Sequence, residues 1–338
     1  MTHVPNPHRS SMKTKLTEML GIELPIIMAP MFLVTNTKMI VAAAENGIAG
    51  CIPALNFRTI EELEAGIKEI KSQTNRPFGV NIIVNKSNIL AKKQLYKCLD
   101  LGVNFFITSL GSPEEVIRES HKQGIKVFCD VIEENYAKKV EDLGADGVIA
   151  VNSGAGGHLG NIPASVLIPG LKSVCKIPVI SAGGVGTGAG IVSMLSLGAD
   201  GLSIGSPFIA THESPVSQDY KDACVKYRGE DIVVTTKLSG SRCTVINTPY
   251  VQKIGTEQNI VESVLNKNKQ LKKYAKMLTY YKGMKALEKA AFSANYKSLW
   301  VAGSSIEFTK KIESVSDIVT RYKTEMKEAQ TKINSILE

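Results

Sequence analysis

One histidine stands in a loop made almost entirely of small residues. The segment Asn152-Ser153-Gly154-Ala155-Gly156-Gly157-His158-Leu159-Gly160 leaves His158 as its one ionisable side chain. An imidazole titrates near about 6.5, so it moves protons at neutral pH. A lone loop histidine is ordinary, but glycines on both sides give substrate access. The other histidines offer less. His3 and His8 lie near the N-terminus, His121 falls in a helical pattern, and nothing else marks His212. His158 is therefore the candidate general base.

Two glycine-rich stretches suggest an anion site. Ser181-Ala182-Gly183-Gly184-Val185-Gly186-Thr187-Gly188 and Ser203-Ile204-Gly205-Ser206-Pro207-Phe208 each follow an apolar run. Without a Cβ, backbone N–H groups approach an anion closely, and a following helix N-terminus adds partial positive charge. One such loop is equally well a tight turn. Two on neighbouring strands favour phosphate. No Gly-x-x-x-x-Gly-Lys-[Ser/Thr] occurs, and Pro30 and Met31 stand where a dinucleotide fold needs glycines. The six cysteines, Cys51, Cys98, Cys129, Cys175, Cys224 and Cys243, are scattered with no Cys-x-x-Cys pair. They indicate neither a metal site nor a disulfide framework, and they fit a cytoplasmic protein with reduced thiols.

These loops need a scaffold. Between residues 24 and 209 there are eight apolar runs: Pro25–Met28, Ile48–Ile52, Phe78–Val84, Val103–Thr108, Ile125–Val131, Asp146–Val151, Ile177–Ala182 and Asp200–Ile204. They are nearly continuous in apolar residues, as strands covered on both faces must be. Amphipathic stretches separate them. Thr59 is a helix cap followed by Glu61 and Glu62, and Ser112-Pro113-Glu114-Glu115 marks another start. Leu101-Gly102, Leu143-Gly144 and Leu197-Gly198 repeat one helix-end pattern, each opening a strand two residues later. Eight such units predict a (β/α)8 TIM barrel, whose active sites lie at the C-terminal mouth with phosphate after strands seven and eight.

The pattern changes after Ile209. One or two short strands are expected between Asp231 and Asn247, helices between Glu257 and Ala291, and a long helix from Val315 to Ile336. The expected division is a tail over 1–15, a barrel core over 16–210, a mostly helical insertion over the mouth at 211–312, and a helix at 313–338 returning to the barrel. From Lys267 onward 15 basic residues face 7 acidic ones, while the first 266 residues balance. The lysines recur at helical intervals, so a solvated helix face is expected rather than nucleic-acid binding. No run of about 18 apolar residues occurs, so no membrane partner is expected.

The motifs together resemble the nitronate monooxygenases, formerly 2-nitropropane dioxygenases. Ala155-Gly156-Gly157-His158-Leu159-Gly160 is similar to that family's Ala-Gly-Gly-His-x-Gly loop. Pro25-Ile26-Ile27-Met28-Ala29-Pro30-Met31, Pro77-Phe78-Gly79-Val80-Asn81 and Leu197-Gly198-Ala199-Asp200-Gly201 resemble its first, third and eighth strands. Trp300-Val301-Ala302-Gly303-Ser304 is similar to its Trp-x-Ala-Gly-Gln. The resemblance implies non-covalent FMN. Ala29, Pro30, Met31 and Asn81 would lie against the ring system. Gly156, Gly157, Ala182, Gly183, Gly184, Ser203, Ile204, Gly205 and Ser206 would hold its phosphate end. His158 would take the proton α to a nitro group, with O2 the final acceptor.

The chain departs from the family pattern at Val151, Gly154, Pro207 and Ser304, where Gln, Glu, Arg and Gln are usual. Related flavin enzymes reduce enoyl thioesters or quinones with NAD(P)H, and that alternative stays open, as does a phosphate-binding barrel without flavin. A homodimer is one expected assembly.

Overall fold

The computed structural model describes residues 12–85, 88–238, 241–257, 282, 285 and 299–338. Eight parallel strands close into a barrel: β1 (Ile26–Met28), β2 (Ala49–Pro53), β3 (Phe78–Ile83), β4 (Phe105–Ser109), β5 (Lys126–Val131), β6 (Gly147–Val151), β8 (Val179–Ala182) and β9 (Gly201–Ile204). β9 pairs back onto β1, with Ile26 opposite Leu202. β7 (Gly157–His158) is a short strand in the loop after β6. Each barrel strand begins and ends within two residues of a run read from the sequence.

Alternation along the strands explains the continuous apolar runs. Outward residues meet helices. Inward residues such as Cys51, Phe105, Ile107, Phe128, Ile149 and Ile180 fill the barrel. Phe105 and Phe128 meet edge to face, with ring centroids 5.7 Å apart. The bottom is plugged by α1 (Lys15–Leu20), whose Leu16 and Leu20 join this inner cluster. A Cβ on Gly201 would lie 2.2 Å from Leu16 Cδ2, so β9 must start with glycine there. The segment over 12–15, expected within the tail, is tied down. Thr14 caps α1, and Met12 N–H donates to the Glu23 carbonyl at 3.0 Å.

The surrounding helices are α2 (Thr37–Glu45), α3 (Ile60–Gln73), α4 (Ala91–Asp100), α5 (Glu114–His121), α6 (Glu134–Asp142), α7 (Ala164–Val174) and α8 (Gly188–Ser196). Thr59 caps α3 as expected, accepting from Glu62 N–H. At α5 the start is one residue later than read: Pro113 occupies the cap position, with no side-chain cap. Gly102, Gly144 and Gly198 end their helices at φ of 62, 94 and 101°, where a side chain is disfavoured.

The helix Val315–Leu337 packs against α8 and α2, so it covers the seam between the last and first units. Before it come α9 (Gln218–Lys226), β10 (Ile232–Thr235), β11 (Cys243–Ile246) and α10 (Pro249–Ile254). β10, β11 and β7 form an antiparallel sheet. Nearly all of the helical stretch read over 257–291, and its lysine-rich face, lies outside the described residues. Among the described residues no helix is long and apolar enough to cross a membrane. All six cysteines are buried free thiols.

Candidate active site

The strand ends surround one cavity of about 780 Å³. Every candidate residue named from the sequence lines it: Ala29 to Met31 after β1, Asn81 on β3, Gly156 to His158 after β6, Ala182 to Gly184 at the end of β8, and Ser203 to Ser206 at the end of β9.

The histidine loop is held from both sides. Asn152 sits at its base. Its side-chain oxygen accepts from Gly154 N–H at 2.8 Å and its amide donates to the Gly183 carbonyl at 3.1 Å. β7 then pairs with β11, placing His158 opposite Cys243 and Gly157 opposite Thr244. Gly156 must be glycine, because a Cβ there would lie 2.7 Å from both Gly303 N and Ser206 Oγ. The Trp300–Ser304 stretch is the other half of that contact, with Gly303 N–H donating to Ser206 Oγ at 2.8 Å. Trp300 is anchored by stacking on Tyr220 at 5.6 Å. His158 is exposed where it opens onto the cavity. Loss of water around the ring lowers its pKa, so the neutral form prevails at neutral pH.

Across the mouth lies a set of unpaired donors. Among the described residues, the backbone N–H groups of Gly183, Gly184, Gly205 and Ser206 make no hydrogen bond. Gly183 and Gly184 have φ of 115 and 75°. Four free N–H groups on adjacent strand ends make a cradle for an anion such as a phosphate. The helix dipole expected to assist does not. Gly188 N–H at the start of α8 donates to Glu325 Oε2 at 2.6 Å, so a carboxylate of the C-terminal helix already occupies that end.

Three residues in the cavity were not singled out from the sequence. Asp130 on β5 accepts a hydrogen bond from the Ser109 hydroxyl at 2.5 Å, and Ser109 accepts from the Asn81 amide at 2.9 Å. Burial pushes the Asp130 carboxyl up to about 6, with the Ser109 hydrogen bond opposing. Tyr136 of α6 also lines the cavity and donates to the Gly111 carbonyl at 2.6 Å. Inward alternation on β5 could have flagged Asp130. Nothing local flags Ser109 or Tyr136. His121 and His212 lie off the site: His121 binds Asp146 at 2.8 Å, and His212 N–H reaches the Glu313 carbonyl.

The nitronate monooxygenase family model matches residues 13–100 and 91–324. The chain belongs to the nitronate monooxygenase family. It is thereby a flavin-dependent oxidoreductase. Relatives of this nitronate monooxygenase family member have more than one recorded activity. It is 30% identical over 263 residues to a (3aS,4S,5R,7aS)-5-hydroxy-7a-methyl-1-oxo-octahydro-1H-indene-4-carboxyl-CoA dehydrogenase of Rhodococcus jostii, covering 77% of this chain and 74% of that one. It is 29% identical over 286 residues to a probable nitronate monooxygenase of Staphylococcus aureus, covering 72% and 80% respectively. Among solved structures it is similar to FabK from Thermotoga maritima, with TM-score 0.85 and 29% identity over 96% of this chain and 100% of that one.

Proposed function

We propose that this chain binds FMN and oxidises alkyl nitronates with O2, accepting neutral nitroalkanes through proton removal by His158. One observation carries this reading: an accessible histidine opens onto the same cavity as a four-donor anion cradle. The cradle fits one phosphate, and the chain has no dinucleotide fingerprint, which favours FMN over FAD.

The residues divide the work. Gly183, Gly184, Gly205 and Ser206 hold the phosphate through backbone N–H groups. Ala29 to Met31 and Asn81 bound the space for the ring. His158, kept neutral by its surroundings, takes the proton next to the nitro group at one ring nitrogen. Bound FMN would accept the electrons of the substrate and pass them to oxygen. In the same reading residues 16–210 are the core, 211–312 the insertion above the mouth, and the location is cytoplasmic.

A second reading has its own support. Leu110 and Ile132 are 42% and 47% exposed at the edge of the cavity and suit an acyl chain, and a relative at 30% identity acts on a CoA thioester. Under that reading NAD(P)H would reduce the flavin. The test is anaerobic mixing of purified protein with propyl nitronate and, separately, with NADH and NADPH. Bleaching of the flavin absorbance by the nitronate supports the first reading. Bleaching by a nicotinamide alone overturns it in favour of the second. Colourless protein after FMN supplementation overturns both.

A further inference from the structure

Two sets of polar groups sit at the barrel-strand ends of the cavity, on opposite sides of the barrel, while Glu133, His158, Asn161, Ser241 and Arg242 line it from outside those strands. One is the anion cradle of β8 and β9. The other is Asn81, Ser109 and Asp130, on β3, β4 and β5. Strand register puts Ser109 beside Ile83 and Thr108 beside Cys129, so Ser109 and Asp130 are neighbours on the inner surface. They form its last layer before the mouth. The layer beneath is apolar, with Ile107, Phe128 and Ile149 buried.

The directions of the hydrogen bonds are forced. The Asn81 amide nitrogen donates to the Ile107 carbonyl at 3.0 Å and to Ser109 Oγ at 2.9 Å, which fixes the orientation of the amide. Ser109 already accepts there, so its own proton goes to Asp130 Oδ2. Asn81 Oδ1 and Asp130 Oδ1 are left for a ligand. The ionisable groups pressing on Asp130 are Cys51 of β2, Cys129 of β5 and Tyr136 of α6. Burial raises the pKa of all three, so they stay neutral, and no described cation offsets a charge on Asp130.

An isoalloxazine has one polar edge, the pyrimidine side, and one apolar edge. With the phosphate end at the cradle, the polar edge can face Asn81, Ser109 and Asp130, the polar wall that the barrel strands themselves carry opposite the cradle. The geometry points to Asp130 as a proton-binding partner of the flavin's pyrimidine edge, coupling proton uptake to flavin reduction. This inference rests on the FMN reading above. A bound flavin would take two electrons and one proton, a hydride equivalent, from its donor and be left with one negative charge. Asp130 would take one further proton from solvent, and no bond at Asp130 other than O–H forms. Reduction puts negative charge on the pyrimidine side, which a neighbouring carboxylate opposes and a neutral acid does not. Burial already holds the Asp130 carboxyl up at about 6 in the flavin-free protein, within reach of neutral pH.

The test measures flavin reduction against redox dyes of known potential, from pH 5.5 to 8.5, on wild type, Asp130→Asn and Ser109→Ala, all FMN-loaded. In wild type the reduced-to-oxidised ratio should fall an extra tenfold per pH unit above about pH 6. Asp130→Asn should lose that extra dependence and be easier to reduce at pH 8. Ser109→Ala should move its onset to higher pH, because the Ser109 hydrogen bond lowers the Asp130 pKa. Asp130→Asn with the wild-type pH slope overturns the inference, as does a change confined to KM for the organic substrate. Failure of wild type to bind FMN overturns it together with the cofactor reading. Binding of FMN with equal slopes overturns this inference alone.

Discussion

Gly157 donates its backbone N–H to the Thr244 hydroxyl at 3.0 Å, tying the residue before His158 to a strand 87 positions later. The Thr244 hydroxyl can in turn donate to the Ala155 carbonyl at 3.3 Å. Thr244→Val keeps the shape and removes both bonds, leaving a partly buried N–H without its acceptor, at a cost of about 1–3 kcal/mol. Flavin occupancy should hold while kcat for a neutral nitroalkane drops about tenfold. An unchanged kcat would show that β11 does not position the histidine.

His158→Ala should leave flavin bound and slow oxidation of a neutral nitroalkane by roughly 10²–10⁴-fold. A pre-formed nitronate has already lost its proton and should suffer less. Equal losses on both substrates would make His158 a binding group rather than a base. Because desolvation lowers the His158 pKa, wild-type turnover of the nitroalkane should persist below about pH 6.5 before it falls. A decline that begins above that pH would contradict the assignment.

The two glycines of the cradle should fail differently. A Cβ on Gly183 would lie 2.4 Å from Ala155 N, inside the histidine loop. At Gly184 the nearest atom would be Gly154 Cα at 3.7 Å, so the local obstacle is the positive φ, roughly 1–2 kcal/mol for an L-residue. Gly184→Val should fold, with FMN affinity reduced tenfold or more as side-chain bulk displaces the phosphate. Gly183→Ala should impair both flavin binding and nitronate turnover. Fluorescence titration of FMN against each folded variant decides, and unchanged affinity in Gly184→Val removes that loop from the phosphate site.

Asp130 makes the flavin-free protein sensitive to pH. Its folded pKa is raised from 3.8 to about 6. Between those values the folded state keeps a proton that the unfolded state has released. Stability therefore falls as pH rises from about 4 to above 6, by at most about 3 kcal/mol. Asp130→Asn should melt higher than wild type at pH 8 and close to it at pH 4. Thermal melts of apoprotein at the two pH values check this, and a constant difference would rule out Asp130 as the cause.

The barrel was legible because both faces of each strand are covered. Runs such as Gly147–Val151 then read as apolar throughout, and Gly144 and Gly198 punctuate the helix ends in the left-handed region. The glycine loops and His158 were legible because their composition is unusual for any packed element. Asp130 was not, because a single carboxylate near the end of an apolar run looks like a strand terminus until Ser109 is placed beside it. β7 was equally hidden. Two residues carry no periodicity, and their partner Thr244 is recruited only when the chain has folded. The occupied end of α8 depends on Glu325, more than a hundred residues away, which no local pattern announces.

The order of synthesis gives the seam between β9 and β1 a separate importance. Phe208, just beyond the last barrel strand, is fully buried edge-on against Tyr322 of the C-terminal helix, ring centroids 6.3 Å apart. A growing polypeptide therefore has all eight staves of its barrel long before it has the piece that covers the join. Residues 209 to 321 must be made in between, which takes roughly 5–20 s at ordinary ribosomal speed. During that interval Phe208 lacks its cover, and the nascent chain presents a sticky edge that a chaperone or a second nascent copy can occupy.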